Sequence, residues 1–362
     1  MLARAKQACW PLRIMLLALL SGTTALLLLR MLRRRTWNGL RQAAAAGGDH
    51  DFSALRTVTL DQWVPDYTGP GRCRFASHIR RKGSTGGSTT LTLGMNDTAI
   101  HDLQGSVTVA VRMGPFRALR WIMSCVKARL EDCSFVREIV LDVWTPPGKS
   151  LEAFRNELHN HLRKVNTTKA RILPGDRGLG ERYFVGEHIQ TPFTLVLDDD
   201  KLLHCAEIHK LLLAAQRFPQ RIIGPVKVRR SIHKCVIGSD TLLYPTERQE
   251  DNMALTSAAL VPTSLMDAYR RLIPRPVIDF INGELNCEDV CFNWLAAHLN
   301  GDEEEACVIV EDVEVKEGPQ GNDALTKSHN SWGRRNACLN FLRDVFPQWP
   351  IPRPSSFRVR IE

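Results

Sequence analysis

Residues Thr194-Leu-Val-Leu-Asp-Asp-Asp200 decide the reading of the fold. Phe193 to Leu197 is a short apolar run, the pattern of a strand buried on both faces. It runs straight into three carboxylates, which repel one another and which a folded core cannot hold unpaired. A divalent cation is the simplest remedy, because oxygen-rich clusters suit Mg2+ or Mn2+. Open α/β sheets also place their ligands beyond the carboxyl ends of the strands. The spacing therefore suggests an Asp-X-Asp site, Asp198 and Asp200, that holds a metal ion and a nucleotide diphosphate. A solvated loop or an acidic helix cap is the plain alternative.

Upstream of this strand, Val107–Val111, Glu138–Val143 and Ala170–Leu173 read as strands. Helices are predicted over Phe116–Leu130, Leu151–Val165 and Arg182–Ile189. Downstream, the pattern predicts a helix over Cys205–Arg217, stopped by Phe218-Pro219, and a hairpin through Ser231–Tyr244. Strands are predicted over Leu255–Val261 and Val308–Val315, and helices over Glu288–Leu299 and Asn336–Val345. Pro274-Arg-Pro276 and Glu303–Glu305 read as loops. Alternating strands and helices argue a mainly parallel sheet, and about 250 residues suffice for one α/β domain. The expected domain runs over 104–352, with a short tail at 353–362. A nucleotidyltransferase would want a Gly-rich phosphate loop before the metal site. Arg177-Gly-Leu-Gly180 is too short for that and lacks a Lys.

The amino-terminal region has a different texture. Ile14 to Leu29 carries no charge, and at about 1.5 Å per residue it would span roughly 24 Å as a helix. Met31 and Leu32 extend it, and Arg30 can snorkel, so 14–32 is expected to be a signal anchor behind a cytosolic tail at 1–13. A cleaved signal peptide is the rival, but no small-X-small cleavage site follows Leu29. Arg30, Arg33, Arg34 and Arg35 argue for the opposite orientation by the positive-inside rule. The sequons at Asn96 and Asn166 argue for a lumenal body. Residues 33–103 read as a stem, with Ala43–Ala46 and the run Lys82-Gly-Ser-Thr-Gly-Gly-Ser-Thr-Thr90.

The net charge is +9, but residues 1–56 hold nine Lys or Arg and two Asp, so +7 of it lies there. A nearly neutral body is no footprint for nucleic acid. Ten cysteines fit an oxidising compartment better than the cytosol. None form a Cys-X-X-Cys pair with zinc spacing, so they read as staples or buried apolar side chains.

Four segments, in order, resemble the exostosin-like glycosyltransferases of family 64. They are Thr194–Asp200, Phe218-Pro-Gln-Arg-Ile-Ile-Gly224 with Arg229, Asn286-Cys-Glu-Asp289 with Phe292-Asn293, and Arg335-Asn-Ala-Cys-Leu-Asn340. The likeness runs over roughly 107–346. It implies a GT-A fold, a Rossmann-like, mainly parallel mixed sheet with helices on both faces. It also implies a type II enzyme of the Golgi or endoplasmic reticulum membrane with its catalytic domain in the lumen. Such an enzyme moves a sugar, commonly GlcNAc from UDP-GlcNAc, to a glycan or glycoconjugate acceptor with retention of configuration. By the same resemblance Asp200 is the favoured ligand of Mn2+ or Mg2+, with Asp198 and Asp199 in support. Arg182 reaches the donor, and Arg112 lies on the nucleotide side. Asp289 is the catalytic carboxylate, with Glu288 binding sugar or acceptor. Cys287 and Cys338 pair, and Arg334 or Arg335 reaches the diphosphate, the choice between them being open. Two departures bear on base recognition: Ala110-Val111-Arg112-Met113 replaces the usual Thr-Tyr-Asn context, and Asp142-Val-Trp-Thr lacks the Asn that often follows the second strand. They keep open a second reading, a non-catalytic subunit that binds nucleotide or glycan. Homo- or hetero-oligomerisation is also left open.

Overall fold

The computed structural model describes residues 89–93, 106–114, 130–145, 150–230, 232–234, 242–244, 250–301, 304–318 and 331–361. The tail, span and most of the stem expected at the amino terminus, the helix expected at Phe116–Leu130 and the sequon at Asn96 lie outside them, apart from Leu130 and the stem's Thr89–Leu93. Among the described residues no helix is long and apolar enough to cross a membrane.

Among the described residues nine strands form one sheet: β1 Thr89–Leu93, β2 Val107–Met113, β3 Val136–Val143, β4 Ala170–Ile172, β5 Phe193–Asp198, β7 Ile222–Pro225, β12 Ala258–Pro262, β13 Cys307–Val310 and β15 Phe357–Ile361. Six two-residue strands make three small ladders: β6 Lys201–Leu202 with β14 Lys316–Glu317, β8 Arg229–Arg230 with β11 Met253–Ala254, and β9 His233–Lys234 with β10 Leu242–Leu243. The large sheet has the order β1-β15-β13-β7-β12-β5-β2-β3-β4. Only β12 runs against its neighbours, β5 and β7; every other pairing is parallel. Every residue of β2 and of β12 is buried, so the middle of the sheet is covered on both faces, as their largely apolar sequences require; Thr108 and Arg112 are the polar members of β2.

The helices are α1 Leu151–Val165, α2 Cys205–Arg217, α3 Thr263–Leu272, α4 Arg275–Glu284, α5 Glu288–Leu299 and α6 Ser331–Val345. Local chemistry sets their ends. Ser150 caps α1 by accepting from Ala153 N, and Asn166 closes it in the left-handed conformation, φ 48°. Phe154 and Leu158 form its buried stripe. The helix expected over Arg182–Ile189 is a 3-10 helix that starts three residues earlier, Leu179–His188.

Three further expectations are corrected. Pro274-Arg-Pro276 is the start of α4, with Pro276 in the first turn, where its missing N–H costs nothing. Glu305 is not in a solvated loop: it is buried, and its carboxylate lies 3.0 Å from the Arg221 guanidinium and accepts from Ser356 N. The strand expected over Val308–Val315 ends at Val310, where the charged pair Glu311-Asp312 turns the chain.

The segments expected as stem and tail also contribute to the sheet. β1 pairs in parallel with β15, and β15 pairs with β13. Along β15, Val359 and Ile361 point into the core while Arg358 and Arg360 reach the Asp251 and Glu311 carboxylates at 2.7 and 2.9 Å. This period of two is legible in Phe357-Arg-Val-Arg-Ile361, but the run is short. Ending the chain at residue 352 is expected to cost on the order of 3 kcal/mol or more, from two lost aliphatic anchors. Thermal unfolding of the full and shortened chains reads this directly, and equal midpoints would show the strand to be dispensable.

Candidate active site

The parallel register places Arg112 between Asp198 on β5 and Asp142 on β3, at the carboxyl edge of the sheet. The Arg112 guanidinium turns to the buried Asp142 and also donates to the Arg177 carbonyl. Arg177 approaches the other Asp142 oxygen at 3.5 Å. The Arg112 charge is therefore already paired with Asp142 at the carboxyl end of β2.

Asp198 finds its cation elsewhere. Arg182 Nη2 lies 2.6 Å from Asp198 Oδ1 and donates to the Thr256 carbonyl at 2.9 Å. Burial works against the Arg182 charge, but the neighbouring carboxylates, Asp198 foremost and Asp289 after it, outweigh it and raise the pKa, so the guanidinium is permanently charged. The 3-10 helix that carries Arg182 is pressed onto α4. Gly180 N donates to Asn282 Oδ1 at 2.7 Å, and a Cβ at Gly180 would stand 2.7 Å from the Ile278 carbonyl oxygen, so only glycine permits this approach.

Thr256 joins the two halves of the site. Its N–H donates to Asp289 Oδ1 at 2.9 Å, and its hydroxyl donates to the same oxygen. Tyr183, fully buried, completes the chain at 2.7 Å from the Thr256 hydroxyl. Burial and the Asp289 charge raise the Tyr183 phenol well above its ordinary value, so it stays protonated and serves as the donor. One turn on from Asp289, Asn293 grips residue 254 with both ends of its amide, at 3.0 Å to Ala254 N and 2.9 Å to Ala254 O.

Glu288 and Asp289 open α5 directly after Cys287, which holds a left-handed φ of 89° rare for a side-chain-bearing residue. Cys287 is bonded to Cys338 of α6, as the resemblance implied, with Cα atoms 5.7 Å apart. A second disulfide, Cys133–Cys205, ties the approach to β3 to the start of α2. Loops of such length suggest about 4 kcal/mol from each bond. Glu288 is buried. Burial and the neighbouring Asp289 push its carboxyl up to about 8, so it carries a proton at neutral pH and can donate a hydrogen bond.

The two arginines of α6 are separated by the structure. Arg334 donates to the Glu284 carbonyl at 3.3 Å. Arg335 lies over the Tyr244 ring, 5.1 Å from its centroid. Burial raises the Tyr244 phenol; Arg335 and Arg230 oppose the rise and Asp289 adds to it. Asn336 and Asn340, four residues apart on one face of α6, bind the backbone of Tyr244 and Leu242 at 2.6–2.9 Å. Tyr183, Thr256, Tyr244 and Asn336 escaped the sequence reading. The i, i+4 spacing of Asn336 with Asn340, and of Asp289 with Asn293, was the available signal.

Asp199 accepts from Gly114 N at 3.0 Å. Asp200 is buried; its carbonyl accepts from Gly318 N at 2.7 Å, and Lys201 Nζ stands 3.9 Å from its carboxylate. Among the described residues no three His, Cys, Asp or Glu side chains gather into a metal cage. Asp198 and Asp200 offer two hard oxygen donors, and Asp198 Oδ2 accepts no hydrogen bond among the described residues. That set fits Mg2+ or Mn2+, ions commonly held by one or two carboxylates plus substrate phosphates.

Asn166 is exposed at the end of α1, and the hydroxyl of Thr168 in its sequon donates to Glu131 at 2.7 Å. Buried Cys291 and Cys307 are the free thiols among the described residues.

The profile of the Glycosyl transferase family 64 domain matches residues 108–360, and the chain belongs to that family. It is similar to human Exostosin-2, 24% identical over 193 residues that cover 52% of this chain and 26% of that protein. An Exostosin-like-3 homolog of Caenorhabditis elegans is 24% identical over 64% of this chain and 26% of its own length. Glucosamine inositolphosphorylceramide transferase 1 of Arabidopsis thaliana is 26% identical over 51% of this chain and 23% of its own length. The chain thus spans about a quarter of the curated relatives it matches. Among solved structures, S. aureus TarS in complex with UDP-GlcNAc aligns with a TM-score of 0.41 and 12% identity, covering 62% of this chain and 61% of that one.

Proposed function

We propose that the chain is a GT-A glycosyltransferase that moves GlcNAc or a related N-acetylhexosamine from a UDP-sugar to a glycan or glycoconjugate acceptor, with retention. The observation that carries this reading is the Arg182 bridge: one buried guanidinium binds Asp198 at 2.6 Å and the carbonyl of the residue that holds Asp289. A metal-side carboxylate and a catalytic carboxylate are thereby fixed in one rigid frame. Family membership supports the reaction class, and a relative named as a glucosamine inositolphosphorylceramide transferase supports an amino-sugar donor.

In this scheme Asp198 and Asp200 hold Mn2+ or Mg2+, which when bound neutralises charge on the departing diphosphate. Arg335, on its Tyr244 platform, faces the diphosphate, while Arg334 serves as a tie to α4. Asp289 stabilises the positive charge that grows at the anomeric carbon, as ion-pair partner or nucleophile. Protonated Glu288 donates a hydrogen bond to sugar or acceptor. Two disulfides and the exposed Asn166 support a lumenal, N-glycosylated body on a type II anchor in the Golgi or endoplasmic reticulum.

The sealed Arg112–Asp142 pair favours a second reading, a partner subunit that binds nucleotide or glycan without catalysis. A hydrolysis screen of UDP- and GDP-sugars on the purified full chain, with Mn2+ and with chelator, separates the two. Metal-dependent release of UDP from UDP-GlcNAc is expected. No nucleotide released from any donor, alongside measurable glycan binding, favours the partner subunit.

A further inference from the structure

We infer that Thr256 is a positioning residue that fixes the rotation of the Asp289 carboxylate and aims its second oxygen into the site. The inference deepens the proposed transfer and rests on it for its kinetic readout. Thr256 is 0% exposed and lies between β11 and β12, on the strip of backbone that crosses the carboxyl end of β5. Its neighbour Ser257 accepts from Asp198 N at 2.9 Å, so the strip is tied to the metal-side strand. Two donors from this one residue converge on Asp289 Oδ1. Oδ2 accepts no hydrogen bond among the described residues. A carboxylate held by one oxygen from two directions cannot rotate about its Cβ–Cγ bond without losing both. Its other oxygen then keeps a single heading.

The arrangement also couples Asp289 to the donor side. The Thr256 carbonyl accepts from Arg182, whose guanidinium holds Asp198. The Tyr183 hydroxyl, 2.7 Å away, donates to the Thr256 oxygen, and the Thr256 proton goes to Asp289. Thr256 touches no reacting atom in this scheme; it acts through Asp289. Orienting partners of this kind typically change activity 10- to 100-fold when removed, by analogy with metal-ligand supports.

The test compares Thr256→Val, Thr256→Ser and Thr194→Val in the full chain. Thr194→Val removes a buried hydroxyl of the same kind, 2.9 Å from Thr263 Oγ1 at the amino end of β5, away from the site. With UDP-GlcNAc and Mn2+, Thr256→Val is expected to lower kcat at least 10-fold with KM changed less than 3-fold. Thr256→Ser is expected to return kcat to within about 3-fold of wild type. Thr194→Val is expected to lower the melting temperature and leave kcat unchanged. An unchanged kcat in Thr256→Val, or an equal fall in both valine variants, overturns the inference. If the wild type hydrolyses no UDP-sugar, the proposed reaction fails by itself. Positioning is then judged from crystal structures of wild type and Thr256→Val: a rotated Asp289 carboxylate in the variant supports it, and an unchanged one overturns it.

Discussion

Asp289→Asn is expected to lower turnover at least ~10³-fold while leaving the fold intact, a loss of roughly 4 kcal/mol of transition-state stabilisation. The amide keeps the geometry. Its carbonyl oxygen can take the place of Oδ1 and accept from Thr256 N and Oγ1, and Asn293 grips the main chain of residue 289, which is untouched. What disappears is the negative charge that the proposed mechanism places beside the sugar. Asp289→Ala is a different experiment. It leaves the Thr256 donors and the Tyr183 relay without an acceptor in a buried place, costing on the order of 1–3 kcal/mol of stability besides the lost charge. The pair therefore separates charge from scaffolding: turnover falls in both, the melting temperature chiefly in Ala. Turnover in the Asn variant within a few-fold of wild type would remove Asp289 from the chemistry.

The parts of this site that could be read from the sequence are those with a local signature. Phe193–Leu197 announces a buried strand because both of its faces are apolar, and the strand continues to Asp198. Leu151–Val165, Cys205–Arg217 and Glu288–Leu299 have the bounds expected from the sequence, and Ser150 caps the first of them. Asp198, Arg182 and Asp289 do share a frame in space. The link between them was not legible, because Thr256 is an ordinary hydroxyl residue ahead of a strand; its role exists only once β12 lies antiparallel to β5. Arg112 and Asp142 illustrate the same limit. They are 30 residues apart in sequence and become partners through strand register alone. β1 and β15 are five residues each, too short to outweigh the loop-like composition around them, and they gain their stability from each other and from β13.

Asp200→Ala is expected to abolish the part of donor affinity that depends on a divalent ion. By calorimetry, the variant with Mn2+ should bind UDP-GlcNAc at least ~100-fold more weakly than wild type with Mn2+, and no differently from wild type in chelator. The three acidic neighbours are not equivalent, and their contacts say why. Asp198 is shared with Arg182, and Asp199 is turned toward Gly114 N, where it braces the end of β2. Asp200 is buried, and the Lys201 ammonium pairs with its carboxylate at 3.9 Å. Its main chain is pinned by Gly318, and the next residues pair with β14, so the carboxylate is carried on a fixed turn. Lys201 also pairs with Glu317, at 2.9 Å, and a divalent ion would bring two positive charges to the Asp200 carboxylate where Lys201 brings one. Asp199→Ala is the comparison. It should leave the Mn2+ dependence in place and cost stability instead, through the unsatisfied Gly114 N–H. Equal affinity of Asp200→Ala and wild type in Mn2+ would place the ion, if one is used, on other oxygens.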